Sequence, residues 1–322
     1  MAEQKGMILV QLGAGRMPDG AVERLARAGD GREVLLTEDR ELIERNRGRV
    51  EIYIGEIDYA LLTRMPAVSW VQLWYAGVDG MRAYPELMER PFRFTNSRIH
   101  GPQITEHVFA MILSWNRRLA RIFEAKKRRE WIRFPIDALD ALTGASLLIL
   151  GYGAIGEHVA GVARAFGMRV TGLRRNPAKG AEGVRVEPAE RLRKLLPQAD
   201  YVLNILPYTP ATTCLVGAAE FSLMKKSALY ISVGRGGTTD EAALIAALRS
   251  RSIAGALLDV TEREPLPPDS PLWDLDNLIL SPHCAGFRPG YDRMALEVAL
   301  DNLGRYVRGE PLNYLVDKRA GY

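Results

Sequence analysis

Short apolar runs alternate along this chain with stretches whose apolar residues recur every three or four positions. The runs predict strands at Met7 to Leu12, Val34 to Leu36, Val50 to Ile54 and Val68 to Leu73. Further strands are predicted at Ala145 to Leu150, Met168 to Arg175, Tyr201 to Leu206, Ala228 to Val233, Gly255 to Val260 and Leu278 to Leu280. The stretches between them read as amphipathic helices, and that alternation favours parallel sheets with helices on both faces. The clearest helical spacing begins at Gly101-Pro102 and runs through Ile104, Val108, Met111, Ile112, Trp115, Leu119, Ile122 and Phe123 as one helix. Helices are also predicted over Asp240 to Arg249 and Tyr291 to Arg308. A chain of 322 residues suits two domains, each with its own core.

The stretch from Ala145 to Arg175 has the most local definition. An apolar strand leads into Gly151-Tyr-Gly153-Ala154-Ile155-Gly156, then into a helix with apolar positions at Ile155, Val159, Ala163 and Phe166, then into a second strand. This is the βαβ unit that sets a pyrophosphate at a helix N-terminus. The first glycine permits the turn, the second lets backbone approach phosphate oxygens, and the third lets helix pack on strand, with unpaired N–H groups facing the anion. Gly13-Ala-Gly15 also follows an apolar strand, but the third glycine position there is Pro18, in a Pro-Asp-Gly turn. That segment reads as a loop. Enzymes that use NAD place an acid about twenty residues beyond the glycine turn, to bind the ribose 2′-hydroxyl. Here the second strand ends in Leu173-Arg174-Arg175-Asn176, a pattern that suits a 2′-phosphate and so NADP(H), with NAD(H) as the lesser cofactor.

Composition narrows the classes. Hydrophobic residues make up 47% and charged residues 25%, as in globular proteins. The start, Met-Ala-Glu-Gln-Lys-Gly, carries no apolar h-region and the apolar runs are too short for a membrane span, so membrane insertion and secretion are not expected. Cys214 and Cys284 lack metal-type spacing and read as reduced thiols, which places the expected protein in the cytoplasm without a bound metal. The net charge of +4 and the cluster Arg117, Arg118, Arg121, Lys126, Lys127, Arg128, Arg129 and Arg133 raise nucleic acid as a partner. Glu124 and Glu130 interleave with that cluster, which reads as a solvated helix face, so nucleic acid is not expected.

Four segments stand at predicted strand ends after the glycine turn: Leu206-Pro207-Tyr208-Thr209, Gly234-Arg235-Gly236-Gly237, Asp259 to Pro265, and Ser281-Pro-His283-Cys-Ala-Gly286. They bring Arg235, Glu264 and His283 as candidates for one crevice. An arginine forks to a carboxylate and polarises the neighbouring carbonyl. A histidine titrates near neutrality and can hand a proton to the carbonyl oxygen as hydride arrives. A glutamate accepts the other imidazole N–H, fixing the tautomer and favouring the protonated ring. Together they form a set for reducing a 2-keto acid. Trp74-Tyr75-Ala76-Gly77-Val78-Asp79-Gly80 follows an earlier strand and reads equally as a ligand loop or a simple glycine turn. His107, inside the long helix, reads as structural.

With these residues in place the sequence resembles the D-isomer-specific 2-hydroxyacid dehydrogenases, the family of glyoxylate/hydroxypyruvate reductases, phosphoglycerate dehydrogenase and formate dehydrogenase. The resemblance spans almost the whole chain. It rests on Ala76-Gly77-Val78-Asp79, His100 to His107, the glycine fingerprint, Ser232-Val-Gly234-Arg235-Gly236, Asp240-Glu241, Asp259 to Pro265, Pro271-Leu-Trp-Asp274, Ser281-Pro-His283 and Gly309 to Asn313. It implies that Arg235, Glu264 and His283 are catalytic, with backbone N–H groups of Gly77 and Val78 holding the substrate carboxylate beside Arg235. Asp259 would bind the nicotinamide carboxamide, while Gly153, Ala154, Ile155, Leu206, Pro207, Thr212 and Val233 would line the cofactor. The implied fold is α/β with two doubly wound parallel sheets: a Rossmann dinucleotide-binding domain, residues 100–286, inserted in a flavodoxin-like substrate domain, residues 1–99 and 287–322. A homodimer built around the helix after Gly101 is implied as well.

Three positions depart from the commonest family pattern. Tyr75 stands where a small residue often precedes Ala76-Gly77-Val78 and enters as a substrate contact, Phe287-Arg288 follows the histidine segment, and Arg174 replaces the acid of NAD enzymes. The expected protein is a cytoplasmic, NADP-preferring reductase of 2-keto acids. Formate or phosphite oxidation on the same fold, and a non-catalytic cofactor-sensing protein like the C-terminal-binding corepressors, are the alternatives.

Overall fold

A computed structural model describes residues 5–13, 15–177 and 183–321. The chain divides into two units, Met1–His100 with Arg288–Tyr322, and Gly101–Phe287.

The first unit is built on β1 (Met7–Gln11), β2 (Val34–Leu36), β3 (Val50–Gly55), β4 (Trp70–Leu73) and β5 (Arg93–Thr95). They pair in parallel in the order β2-β1-β3-β4-β5, the flavodoxin-like winding. Period-two alternation sends Met7 and Leu9 to one apolar cluster and Ile8 and Val10 to another, so the sheet is buried on both faces. The helix Tyr291–Val307 covers the second face through Ala295, Leu296, Ala299 and Leu303. Of the loop at Gly13-Ala-Gly15, Ala14 lies outside the described residues. Arg16 just beyond it pairs with Asp292 at 2.8 Å and with Glu56.

The second unit holds β6 (Ser146–Leu150), β7 (Arg169–Arg174), β8 (Arg185–Pro188), β9 (Tyr201–Asn204), β10 (Leu229–Ser232), β11 (Gly255–Leu258) and β12 (Leu278–Leu280). Their order is β12-β11-β10-β9-β6-β7-β8, parallel throughout. Strand order reverses between β6 and β9, the switch point where such sheets bind ligands beyond their carboxyl ends. Leu147 and Ile149 face the helices Gly101–Asn116 and Ala154–Ala165, whereas Leu148 and Leu150 face the cluster of Phe221, Leu244 and Leu248.

The single long helix after Gly101 is corrected by the structure. It ends at Asn116 and a second helix, Leu119–Lys127, starts after Arg118, whose φ of 54° is left-handed. The Arg118 guanidinium donates back to Trp115 O at 3.1 Å and to Asp140 at 3.0 Å, satisfying the frayed helix end without a glycine. Apolar spacing runs on across this break, so periodicity alone did not reveal it. The strands β5 and β8 were also not predicted. The Arg-Val-Glu-Pro of β8 is a polar edge strand, which lacks the apolar signature of a buried one. No helix among the described residues is long and apolar enough to cross a membrane.

Tyr152, inside the glycine turn, is buried with its ring against Gly172 of β7. A Cβ added at Gly172 would lie 2.4 Å from the ring. Gly172→Ala should therefore destabilise the protein by about 1–3 kcal/mol through overpacking. Urea unfolding checks this, and an unchanged midpoint would show that the ring moves aside freely.

Candidate active site

The glycine turn fits a dinucleotide position by position. Gly151 has φ +94°, and a Cβ there would come 2.9 Å from Ile205 O, so only glycine allows the turn this close to the end of β9. A Cβ at Gly153 would meet nothing within 4 Å, leaving open the face that pyrophosphate would approach. At Gly156 it would press on Gly151 O at 3.3 Å. Ala154 and Ile155 open the helix Ala154–Ala165, in whose first turn the N–H groups lack intrahelical acceptors. Arg174 ends β7 half-buried and Arg175 follows it exposed.

The ends of β9 and β10 are tied by a polar residue that sequence reading did not single out. Asn204, fully buried, donates to Tyr230 Oη at 2.8 Å and to Thr238 Oγ1 at 2.9 Å, and its Oδ1 accepts from Leu206 N–H at 3.1 Å. Its only sequence signal was a polar side chain closing an apolar strand. Beyond it Thr212 Oγ1 donates to Pro207 O at 2.6 Å and accepts from Thr209 N–H at 2.8 Å, which shapes the turn carrying Leu206 and Pro207. Val233 is buried and donates its N–H to Asn204 O.

Arg235 leaves β10 in extended conformation, and its carbonyl accepts from the N–H and hydroxyl of Thr238. The following Gly236 touches the loop after β11: a Cβ there would lie 1.8 Å from Thr261 O. The arginine turn and the glutamate loop thus lie directly against each other. Glu264 in that loop receives Thr261 N–H on Oε1 at 3.0 Å, and His283 Nδ1 donates to its Oε2 at 2.6 Å. Their side chains are 38% and 46% exposed, so the imidazole is held on one side and reachable on the other.

His283 has φ +51°, which a non-glycine residue keeps only when its surroundings enforce it. Asp259 supplies that enforcement. Its carbonyl accepts from His283 N–H at 2.9 Å, while its carboxylate accepts from Cys284 N–H at 3.0 Å, Ala285 N–H at 2.9 Å and Ser281 Oγ at 2.6 Å. Cys284, Asp259 and His107 bring potential metal-ligand atoms within 4.8 Å of one another. Burial first, and the Asp259 charge second, raise the Cys284 thiol above its ordinary range, and hydrogen bonds already engage the carboxylate. The cluster is built as a hydrogen-bonded one.

In the first unit, Tyr75 is half-buried among apolar neighbours and Val78 is buried. Ser97 N–H donates to Tyr75 O at 3.1 Å and the Asn96 side chain to Ala76 O at 2.7 Å, so the carbonyls on this side of Gly77 are tied down. Trp74 is fully buried, with its indole N–H on Asp292 at 2.8 Å, and belongs to the core. Arg288 is exposed.

Residues 109–285 match the family described as D-isomer specific 2-hydroxyacid dehydrogenase, NAD binding domain. Glyoxylate/hydroxypyruvate reductase B of Enterobacter sp. (strain 638) is 37% identical over 271 residues, 79% of each chain. Glyoxylate reductase of Aeropyrum pernix is 37% identical over 271 residues, 82% of this chain and 81% of that one. Among solved structures, the NADPH-dependent glyoxylate/hydroxypyruvate reductase of Sinorhizobium meliloti, in complex with NADP and sulfate, superposes with a TM-score of 0.84 at 29% identity, over 99% of this chain and all of that one. With both parallel sheets and the glycine turn already in place, these likenesses establish that the chain belongs to the D-isomer-specific 2-hydroxyacid dehydrogenase family and is an NAD(P)-dependent enzyme of 2-hydroxyacid chemistry.

Proposed function

We propose that the protein reduces small 2-keto acids, glyoxylate and hydroxypyruvate among them, with NADPH preferred over NADH, and that Arg235, Glu264 and His283 carry the chemistry. The observation that supports this most directly is the 2.6 Å contact of His283 Nδ1 with Glu264 Oε2. With Nδ1–H engaged by the carboxylate, Nε2 is the nitrogen left to hold the transferable proton. Arg235 pairs with the substrate carboxylate and draws electron density from the adjacent carbonyl. A bound nicotinamide supplies the hydride. His283 Nε2–H releases its proton to the carbonyl oxygen, the ring becomes neutral, and Glu264 keeps it oriented throughout. The open face at Gly153 and the Ala154–Ala165 helix start are the proposed pyrophosphate position, with Leu206, Pro207, Thr212, Val233 and Asp259 lining the cofactor. Tyr75, Ala76, Gly77 and Val78 are proposed to set acid selectivity through the N–H groups of Gly77 and Val78 and the Tyr75 ring.

The segment that follows the helix Gly101–Asn116 exposes Phe123, Trp131 and Ile136, with Trp131 92% exposed. An exposed aromatic and aliphatic set of this kind supports a homodimer built around that helix. Cys214 and Cys284 are free thiols, which supports a reducing, cytoplasmic setting.

A panel of 2-keto acids assayed with both reduced cofactors tests the activity. His283→Ala should cut turnover roughly a hundredfold or more. Near-normal turnover of the variant would remove the assignment, and no turnover by the parent on any 2-keto acid would favour a binding protein instead. On the same panel Tyr75→Ala should reorder small against bulky acids, whereas an equal loss on all would mark Tyr75 as packing only.

A charge-assisted bond from Arg174 or Arg175 to the 2′-phosphate is worth about 1.5–3 kcal/mol, roughly a ten- to hundredfold preference for NADPH. Arg174→Asp should raise KM for NADPH far more than for NADH, and added salt should weaken NADPH binding selectively. Equal efficiency with both cofactors in the parent protein would show that neither arginine reads the phosphate.

Sedimentation should give twice the chain mass, falling to one on Trp131→Glu. A monomeric parent at micromolar concentration would reject the dimer.

A further inference from the structure

His107 projects from the helix Gly101–Asn116 and meets Ser281, at the end of β12, with Nε2 2.8 Å from the serine Oγ. Ser281 has one hydroxyl proton and three acceptors in range: Asp259 Oδ1 at 2.6 Å, Leu258 O at 3.4 Å and Met111 Sδ at 3.9 Å. The shortest of these is also the one to a carboxylate, so the proton lies on the Asp259 side. The serine oxygen must then accept from His107, which fixes the histidine proton on Nε2. His107 Nε2 is itself 3.5 Å from Asp259 Oδ1, and a carboxylate oxygen that close favours N–H over a bare lone pair on Nε2. The result is a directed chain: imidazole N–H to serine oxygen, serine O–H to carboxylate.

That carboxylate is the one that grips the turn bearing His283. Of its four lone-pair positions, three take Ser281 Oγ–H, Cys284 N–H and Ala285 N–H. Without the hydroxyl, Oδ1 would keep a single donor in a site where Asp259 is 2% exposed, and the carboxylate would be free to rotate away from the two amides. The same side chain would then release the left-handed turn at His283 and, with it, the alignment of Nδ1 on Glu264.

We propose that His107 and Ser281 are positioning residues for the proton donor: through Asp259 they hold the turn that sets His283 against Glu264. The proposal rests on the reading of His283 as the acid in 2-keto acid reduction.

Two measurements separate it from that reading. Hydrogen exchange of the peptide spanning Ser281 to Phe287, followed in the protein without substrate, should quicken about tenfold in Ser281→Ala and His107→Leu, because the amides of Cys284 and Ala285 lose their fixed acceptor. Steady-state reduction should lose roughly ten- to a hundredfold in kcat, the scale of a displaced catalytic group. KM for the keto acid should stay near that of the parent, since Arg235 is untouched, so that the loss falls on kcat alone. Ser281→Thr and His107→Gln, which keep a hydroxyl and an N–H donor, should restore most of both quantities. Unchanged exchange, or a kcat equal to the parent's, in Ser281→Ala overturns the proposal, whatever happens to its melting temperature. Should Ser281→Ala fail to fold, the same comparison between His107→Leu and His107→Gln decides: equal behaviour of those two overturns it. A parent inactive on every 2-keto acid would instead remove the functional reading and leave the exchange result standing.

Discussion

A carboxylate buried at the end of an interior strand is tolerated only where donors meet its oxygens, and the arrangement of the candidate active site follows from how Asp259 meets that condition. Its donors come from Ser281, Cys284 and Ala285, all in the segment that leaves β12. Parallel pairing of β11 with β12 brings that segment alongside Asp259, and satisfying the carboxylate folds it back into a turn. His283 sits at the apex of that turn with φ +51° and reaches Glu264, which β11's own loop supplies. Satisfying one buried carboxylate thus positions the His283–Glu264 pair. The arginine enters by a different constraint: only a glycine at 236 lets the β10 turn lie against Thr261, which brings Arg235 beside the same loop.

What could be read from the sequence divides along the range of the interactions involved. The glycine turn was legible because each glycine answers a local demand of the backbone, visible within a few residues: a positive φ at Gly151, an open face at Gly153, close packing at Gly156. Strands buried on both faces were legible for the same reason, their apolar runs being continuous. The break at Arg118 was not, since the apolar spacing continues through it and its cap is a side chain reaching Asp140. The polar edge strand β8 had no apolar run to announce it. Asn204 was missed because Tyr230 and Thr238 lie far along the chain, and Ser281, quoted only as part of the histidine segment, because its partner Asp259 is distant in sequence. His107 was set aside as structural by the ordinary odds for a helical histidine, and only the fold brings it to Ser281.

Asp259 shows how resemblance and structure differ in what they deliver. Resemblance attaches it to the nicotinamide carboxamide, a role that asks for one acceptor position. Three of its lone pairs are already engaged by the protein, so at most one remains for a ligand. The two roles are compatible, and they are unequal in their reach. Loss of an acceptor for a carboxamide weakens one contact, whereas loss of the carboxylate frees the whole turn.

Tyr152 links the glycine turn to the end of β7. It occupies the variable position between Gly151 and Gly153, yet its ring is buried on Gly172 instead of pointing to solvent. Burial first, and the Glu157 charge second, raise its phenol above the ordinary range, while the Arg174 charge acts in the opposite sense. Tyr152 N–H also donates to Leu173 O at 2.8 Å. Ring and backbone together fix the end of β7 against the turn, and Arg174 is the next residue along that strand. The side chain proposed above to read a 2′-phosphate thus follows directly on a backbone position tied to the glycine turn. A smaller residue at 152 would leave a void over Gly172, and the strand end, with its arginine, would lose the contact that fixes it.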